Sequence, residues 1–160
     1  MLHCILLDCS ASMLRGKRLS LAKGILLRWT AEFYRRREDL AVIGFSGEQA
    51  RVLQPPRKAV AFNEAWIAAI PGGGGTPAQS AVALADALLR KRRRAVPEQH
   101  VALWLLTDAR FDDIPPRPRG ANICMVVDFD DAAVTLDRAT RIGAAWDAEV
   151  VRATDLLGVL

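Results

Sequence analysis

Short, nearly uninterrupted apolar runs recur along this chain, and each ends on an oxygen-bearing residue: Leu2–Leu7 before Asp8, Leu40–Phe45 before Ser46, the run from His100 into Thr107 before Asp108, and Ala121–Val127 before Asp128. A run that is apolar at every position suits a strand buried on both faces, as in a parallel sheet covered by helices. The stretches between have the other period. From Lys17 to about Arg36, Leu19, Ala22, Ile25, Leu26, Trp29 and Phe33 fall on one helical stripe. Ala78 to Arg93 reads as a second helix behind Pro77, a residue suited to a first helical turn. Asn63–Ile70 reads as a short helix, Ala132–Ala145 as a later one, and Ala148–Arg152 as a last strand. Ser12–Gly16 is expected to be loop. Ser46-Gly47-Glu48 is a turn, so Ala50–Leu53 is expected to be a short antiparallel edge strand, stopped by Pro55-Pro56. Strands alternating with helices give an α/β fold: a central, mostly parallel sheet with helices on both faces.

The chain has 160 residues, which predicts one domain over 1–160. With 51% apolar and 25% charged residues, disorder is excluded as its general state. No apolar run approaches the roughly 20 residues of a membrane span. Met1–Asp8 lacks the basic start and small-residue cleavage site of a signal peptide, so a cytoplasmic location is expected. Cys4, Cys9 and Cys124 have no CxxC spacing and are expected to be buried, reduced thiols.

The 22 basic residues exceed the 18 acidic ones, and much of the excess lies in Arg35–Arg37 and Arg90–Arg94. Both clusters fall where helices are expected to end, where cations complement the helix dipole. They also suit an acidic partner surface. No aromatic residues are interleaved with them, which argues against nucleic acid.

In open α/β sheets, ligands bind at the carboxyl ends of strands near the point where strand order reverses. Three segments are expected to meet there: Asp8-Cys9-Ser10-Ala11-Ser12, the loop Gly72–Gly75 with Thr76, and Thr107-Asp108. Asp8, Ser10 and Ser12 alternate by two, so a tight turn can aim their oxygens at one point. Thr76 adds a hydroxyl and Asp108 a second carboxylate. Two carboxylates with hydroxyls form a hard-cation set, suited to Mg²⁺ or Mn²⁺. With no His or Cys among them, a soft-metal catalytic site is not expected.

This pattern resembles the von Willebrand factor A domain, a Rossmann-like fold, and its metal-ion-dependent adhesion site. The resemblance implies that Ser10, Ser12 and Thr76 supply hydroxyl oxygens to the ion, that Asp8 and Asp108 lie close and often act through water, and that a Glu or Asp of a protein partner completes the shell. Further residues resemble the A-type domain of magnesium chelatase D subunits and their cobaltochelatase relatives: Asp8–Met13, Arg18, Ala22-Lys23-Gly24, Arg35–Phe45, Leu53–Arg57, Gly72–Pro77 and Leu105–Arg110. That resemblance implies a non-catalytic accessory role beside an AAA+ ATPase. It departs at Ala11 and Ala109, where the family carries Gly. If either needs positive φ, Ala strains the loop by about 1 kcal/mol or more.

Other chemistries fit less well. The glycine loop lacks the Lys-Ser/Thr of a phosphate-binding P-loop, having Thr76-Pro77 there. A serine nucleophile needs a positioned base, and His3 and His100 lie within or at the start of strands. Metal-assisted phosphate hydrolysis, with Asp8 as nucleophile and Asp108 holding Mg²⁺, calls for a second Asp where Ser10 stands. Turn and cap chemistry accounts for any one of the three segments. Trp29, Trp66, Trp104 and Trp146 are expected in the core. Met13 is placed either to touch a partner or to staple its loop to the core. Arg110 and Phe111-Asp112-Asp113 flank the predicted ion, on the expected partner side.

Overall fold

The computed structural model describes residues 1–61, 63–131 and 137–158. A six-stranded sheet runs in the order β3-β2-β1-β4-β5-β6. Its strands are β1 (Leu2–Asp8), β2 (Asp39–Ser46), β3 (Gln49–Lys58), β4 (Val101–Thr107), β5 (Ile123–Asp128) and β6 (Glu149–Arg152). All neighbours pair in parallel except β2 and β3. The expected α/β architecture with one antiparallel edge strand is what the chain adopts.

Side-chain alternation divides the core. Cys4 and Leu6 of β1, with Ile43, Leu103 and Val126, meet helices α4 (Ala78–Ala95) and α5 (Arg138–Trp146). Ile5 and Leu7, with Val42, Leu106 and Val127, face the other way, onto α2 (Arg18–Arg35) and α3 (Glu64–Ala68). Both faces of β1, β2 and β4 are therefore covered, which is why these strands read as continuous apolar runs. Trp146 is fully buried and donates its indole N–H to the Pro115 carbonyl at 2.8 Å. Trp29, Trp66 and Trp104 are half-buried and pack onto the α2 side of the core. The three cysteines are buried and free. His3 is structural: it stacks on Phe33 at 3.7 Å and bonds Glu38 and the Trp104 indole. As expected, Arg35 and Arg92–Arg94 occupy the last turns of α2 and α4.

The structure corrects several boundaries. The edge strand is not short: β3 spans ten residues and runs through Pro55-Pro56. Its register with β2 shifts between Leu40 and Val42, where Leu40 faces Arg57 and Val42 faces Gln54. The bulge lies at the prolines, and an edge strand tolerates residues that cannot donate to the ladder. Ser12–Gly16, expected to be loop, lies instead in a single turn, α1 (Ala11–Leu14), and a 3₁₀ turn at Arg15–Lys17 with Gly16 at φ 58. Residues 132–136 of the helix expected at 132–145 lie outside the described residues, and the described α5 begins at Arg138. A short helix, α6 (Asp155–Gly158), has no sequence expectation behind it. Among the described residues, no helix is long and apolar enough to cross a membrane.

Candidate metal centre

Strand order reverses between β1 and β4, which carry the chain outward on opposite sides. Asp8 ends β1, and Thr107 ends β4 with Asp108 just beyond. The crevice at this switch point is where such sheets place a ligand. The structure therefore brings Asp8 and Asp108, 100 positions apart in the chain, to one spot.

Hydrogen bonds join four of the five predicted site residues. Asp8 is completely buried. Its Oδ1 accepts the Ser10 N–H at 2.9 Å and its Oδ2 accepts the Thr107 hydroxyl at 2.6 Å. Asp8 thus shapes the turn that carries Ser10. The Ser10 and Ser12 hydroxyls lie 3.1 Å apart, and Ser12 donates to Asp108 Oδ1 at 3.0 Å. Burial pushes the Asp8 carboxyl above the usual carboxylate range; bonds from Thr107 and Ser10 oppose this, and the charge of Asp108 adds to it. The fifth residue, Thr76, is half-buried at the end of the glycine loop. Its hydroxyl makes no hydrogen bond to the other four.

Main-chain bonds position the glycine loop. Gly73 N–H donates to the Cys9 carbonyl at 2.8 Å, and Ala11 N–H donates to the Gly74 carbonyl at 2.9 Å. Gly47 N–H, in the β2–β3 turn, donates to the Gly75 carbonyl at 3.0 Å, and Cys9 N–H to the Phe45 carbonyl at 2.9 Å. Gly74 has φ +81, and a Cβ there would stand 2.7 Å from Gly47 Cα. Only glycine allows that backbone to approach the turn so closely. Met13 is completely buried in the α2-side core, so it staples the loop inward rather than meeting a partner.

Of the two alanines at family glycine positions, Ala11 is right-handed, inside α1, and unstrained. Ala109 has φ 54, the left-handed region, which costs an L-residue about 1–2 kcal/mol. The surroundings enforce it: Ala109 is buried, and its N–H donates to the Thr107 hydroxyl at 2.9 Å.

The pairing of Asp108 with two cations was not expected from the sequence, which placed Arg110 only on the partner side. Buried Arg18 donates from Nη1 to Asp108 Oδ2 at 3.0 Å, and Arg110 Nε lies 3.4 Å from the same oxygen. Arg18 also bonds Asp131 and pairs with Asp130 at 3.8 Å. Burial opposes the Arg18 charge, but Asp131, Asp108 and Asp130 outweigh it and raise its pKa. One signal was available in the sequence. Arg18 begins a helix, where the dipole disfavours a cation, so a compensating acidic partner was implied. Asp130 and Asp131 follow β5 at the same end of the sheet and supply much of that compensation.

The site is thus a chain of oxygens, with the Oδ2 side of Asp108 covered by guanidiniums and the Oδ1 side turned to the serines. Among the described residues, no group of three or more His, Cys, Asp or Glu is arranged to hold a metal. Any cation here must rely on hydroxyls.

This doubly wound sheet, with its Asp-Ser-Ser turn at the switch point, defines a class, and residues 4–110 match the family model of the von Willebrand factor type A domain. The chain belongs to that family. It is 35% identical over 94 residues to the magnesium-chelatase 60 kDa subunit of Cereibacter sphaeroides, covering 58% of this chain and 16% of that protein. To the magnesium-chelatase 67 kDa subunit of Chlorobaculum tepidum it is 33% identical over 109 residues, covering 68% of this chain and 17% of that protein. The chain thus spans about a sixth of the length of these relatives. Among solved structures, the SpRpn10 VWA domain superposes with TM-score 0.69 at 14% identity, over 99% of this chain and 94% of that one. BatB from Bacteroides thetaiotaomicron superposes with TM-score 0.70 at 17% identity, over 95% and 89% of the two chains. These two likenesses concern the fold alone.

Proposed function

We propose that these 160 residues form a single, cytoplasmic, Mg²⁺-dependent protein-binding module, an accessory part of a chelatase-like complex that works beside an AAA+ ATPase. Kinship to magnesium-chelatase subunits supports the setting. The observation that carries the metal reading is the spacing of Ser10 Oγ, Ser12 Oγ and Asp108 Oδ1, at 3.1 and 3.0 Å. Magnesium–oxygen bonds of about 2.0–2.1 Å put neighbouring corners of an octahedron about 2.9 Å apart. Calcium, with longer bonds, spreads its ligands further.

Ser10, Ser12, Thr76 and Asp108 would hold the ion, and Asp8 would orient Ser10 from beneath. The bound ion supplies an electrophilic position that a Glu or Asp of a protein partner fills. Mostly neutral ligands leave the ion's charge largely uncompensated, which favours that external carboxylate. Mn²⁺ has the same ligand preferences. Asp8 is poorly placed for the rival role of phosphohydrolase nucleophile: it is fully buried, and both its oxygens accept hydrogen bonds.

Calorimetric titration of Mg²⁺ into the wild type and into Ser12→Ala tests the site. Binding lost with Ser12→Ala is expected; equal binding by both refutes the ligand set. The partner is tested by capture from native lysate on tagged protein, in Mg²⁺ and in EDTA, beside Asp8→Ala. A protein held only by the wild type in Mg²⁺ is expected, and capture indifferent to metal and mutation refutes the reading.

A further inference from the structure

A groove of about 590 Å³ lies along α4, on a part of the molecule that the metal centre does not use. One helical face forms its floor and one side. Gln79, Val82, Asp86, Leu89 and Arg93 recur at three- and four-residue spacing along it. From Gln79 to Arg93 a helix rises about 21 Å. The loop 116–120 forms the opposite wall, with Pro116, Arg117, Arg119 and Gly120.

This wall is fixed before any ligand arrives. Asp86 Oδ1 accepts the Arg119 N–H at 2.8 Å and the Gly120 N–H at 3.3 Å. Arg117 Nε donates to the Trp146 carbonyl at 2.7 Å, which ties the loop to the buried end of α5. Gly120 passes so close to α4 that a Cβ there would be 2.6 Å from Leu89 Cβ. The one carboxylate lining the groove, Asp86, is occupied by backbone N–H groups, and Arg117 is anchored to carbonyls.

Several arginines elsewhere in the chain are held in ion pairs. Arg18 pairs with Asp108 and Asp131, Arg35 and Arg36 with Glu32, and Arg92 with Asp39. Arg90, Arg93 and Arg119 are exposed, and no carboxylate among the described residues lies within ion-pair distance of them. Three guanidiniums without an ion pair therefore overhang a groove whose exposed apolar lining is Ala83 and Pro116, with Val82 and Leu89 buried beneath. No aromatic side chain lines the groove, so it offers no stacking platform for nucleic-acid bases.

We infer that this groove is a second docking surface, which takes an acidic peptide segment of a protein partner, its carboxylates on Arg90, Arg93 and Arg119 and its apolar side chains on the floor between them. Charge complementarity selects the occupant. An extended segment alternates its side chains, so carboxylates can point to the rim while apolar groups point down; about 21 Å accommodates roughly six or seven such residues. Docking here needs no metal ion and stands apart from the reading of the Asp-Ser-Ser site.

The probe is a fluorescein-labelled peptide of roughly seven residues, alternating Glu and Leu, followed by anisotropy at low salt. Its matched controls are a Gln/Leu peptide, an all-Glu peptide and an oligothymidylate of the same charge. The Glu/Leu peptide is expected to bind about tenfold or more tighter than the Gln/Leu peptide, and to weaken steeply as salt is raised. The all-Glu peptide is expected to bind several-fold more weakly, for want of apolar contact. The triple variant Arg90→Glu, Arg93→Glu, Arg119→Glu is expected to abolish binding with an unchanged melting temperature. If it loses its fold, Arg119→Glu alone carries the test, because that side chain makes no hydrogen bond among the described residues. Binding is expected to persist in EDTA, so failure of the metal reading leaves this one standing. Equal affinity for the Gln/Leu peptide, no loss in the Glu variants, loss in EDTA, or oligothymidylate bound as tightly as the Glu/Leu peptide would each overturn it.

Discussion

Replacing Arg18 with methionine keeps the aliphatic stem and removes the charge that faces Asp108. The pair is well shielded: the side chains are 9% and 0% exposed, with Nη1 and Oδ2 3.0 Å apart. Two unit charges about 4 Å apart at an effective dielectric of about 20 attract by about 4 kcal/mol. Removing one member of a buried pair costs about 3–5 kcal/mol, because the other stays buried and uncompensated. Arg110 at 3.4 Å remains as a second partner and offsets part of this. The bond to Asp131 adds little, since that side chain is 59% exposed. The expected loss is about 2–3 kcal/mol, a fall of about 4–12 °C in Tm for a domain of this size. Urea titrations in EDTA measure it. In saturating Mg²⁺ the loss is expected to shrink, because the proposed ion supplies the missing positive charge. Adding Asp108→Asn to Arg18→Met is expected to recover part of the stability lost in EDTA. A loss below about 0.5 kcal/mol in EDTA, the range of an ordinary surface substitution, would refute the buried-pair account. An equal loss in Mg²⁺ and EDTA would refute the shared role of ion and guanidinium.

Two further predictions concern the backbone and pH. Gly74→Ala combines φ +81 with a Cβ 2.7 Å from Gly47 Cα, so a loss of about 2 kcal/mol or more is expected in chemical denaturation. Gly47→Ala, at φ +63 with open space around it, is expected to cost only about 1 kcal/mol; equal costs would mean the close approach carries no weight. Burial holds the His3 pKa below its ordinary 6.5, although Glu38 opposes the shift. The unfolded chain therefore takes up a proton there before the folded one does. Stability from this source is complete above pH 6.5 and falls as pH drops below it. The urea midpoint of His3→Gln is expected to decline less over the same window, and an identical decline would assign the effect elsewhere.

The sheet was legible because β1, β2 and β4 are covered on both faces, so no polar residue interrupts their pattern except structural His3. The convergence of Asp8, Ser10, Ser12 and Asp108 was legible because strand ends brought oxygen-bearing residues, and the switch point determined where Asp8 and Asp108 would meet. What stayed hidden depends on contacts between distant segments. Pro55-Pro56 read as a stop because a strand's tolerance for proline depends on whether it lies at an edge with a bulge, and the bulge exists only in the register with β2. The pairing of Arg18 was not legible in the sequence, since its partners Asp108, Asp130 and Asp131 lie about a hundred residues away. Of the two family-glycine alanines, the sequence could not say which one had to turn left-handed. Ala109 does, because its N–H reaches back to Thr107, while Ala11 continues into a helical turn.

The main-chain lacing of the three loops has a thermodynamic consequence. Cys9, Ala11, Gly73, Gly74, Gly75 and Gly47 are joined across segments by bonds of 2.8 to 3.0 Å, so the loops are ordered as part of folding. A ligand arriving at the crevice then meets a surface whose conformational entropy is already spent. Flexible sites lose about 0.5–1.5 kcal/mol for each rotamer-rich side chain they immobilise on binding, whereas the serine hydroxyls here ride on a backbone that is already held. Association at such a surface depends mainly on dehydrating the incoming ion and carboxylate. Amide exchange at Cys9, Ala11, Gly47 and Gly73, whose N–H groups donate these bonds, should therefore be slow before any ligand is added, and nearly the same afterwards.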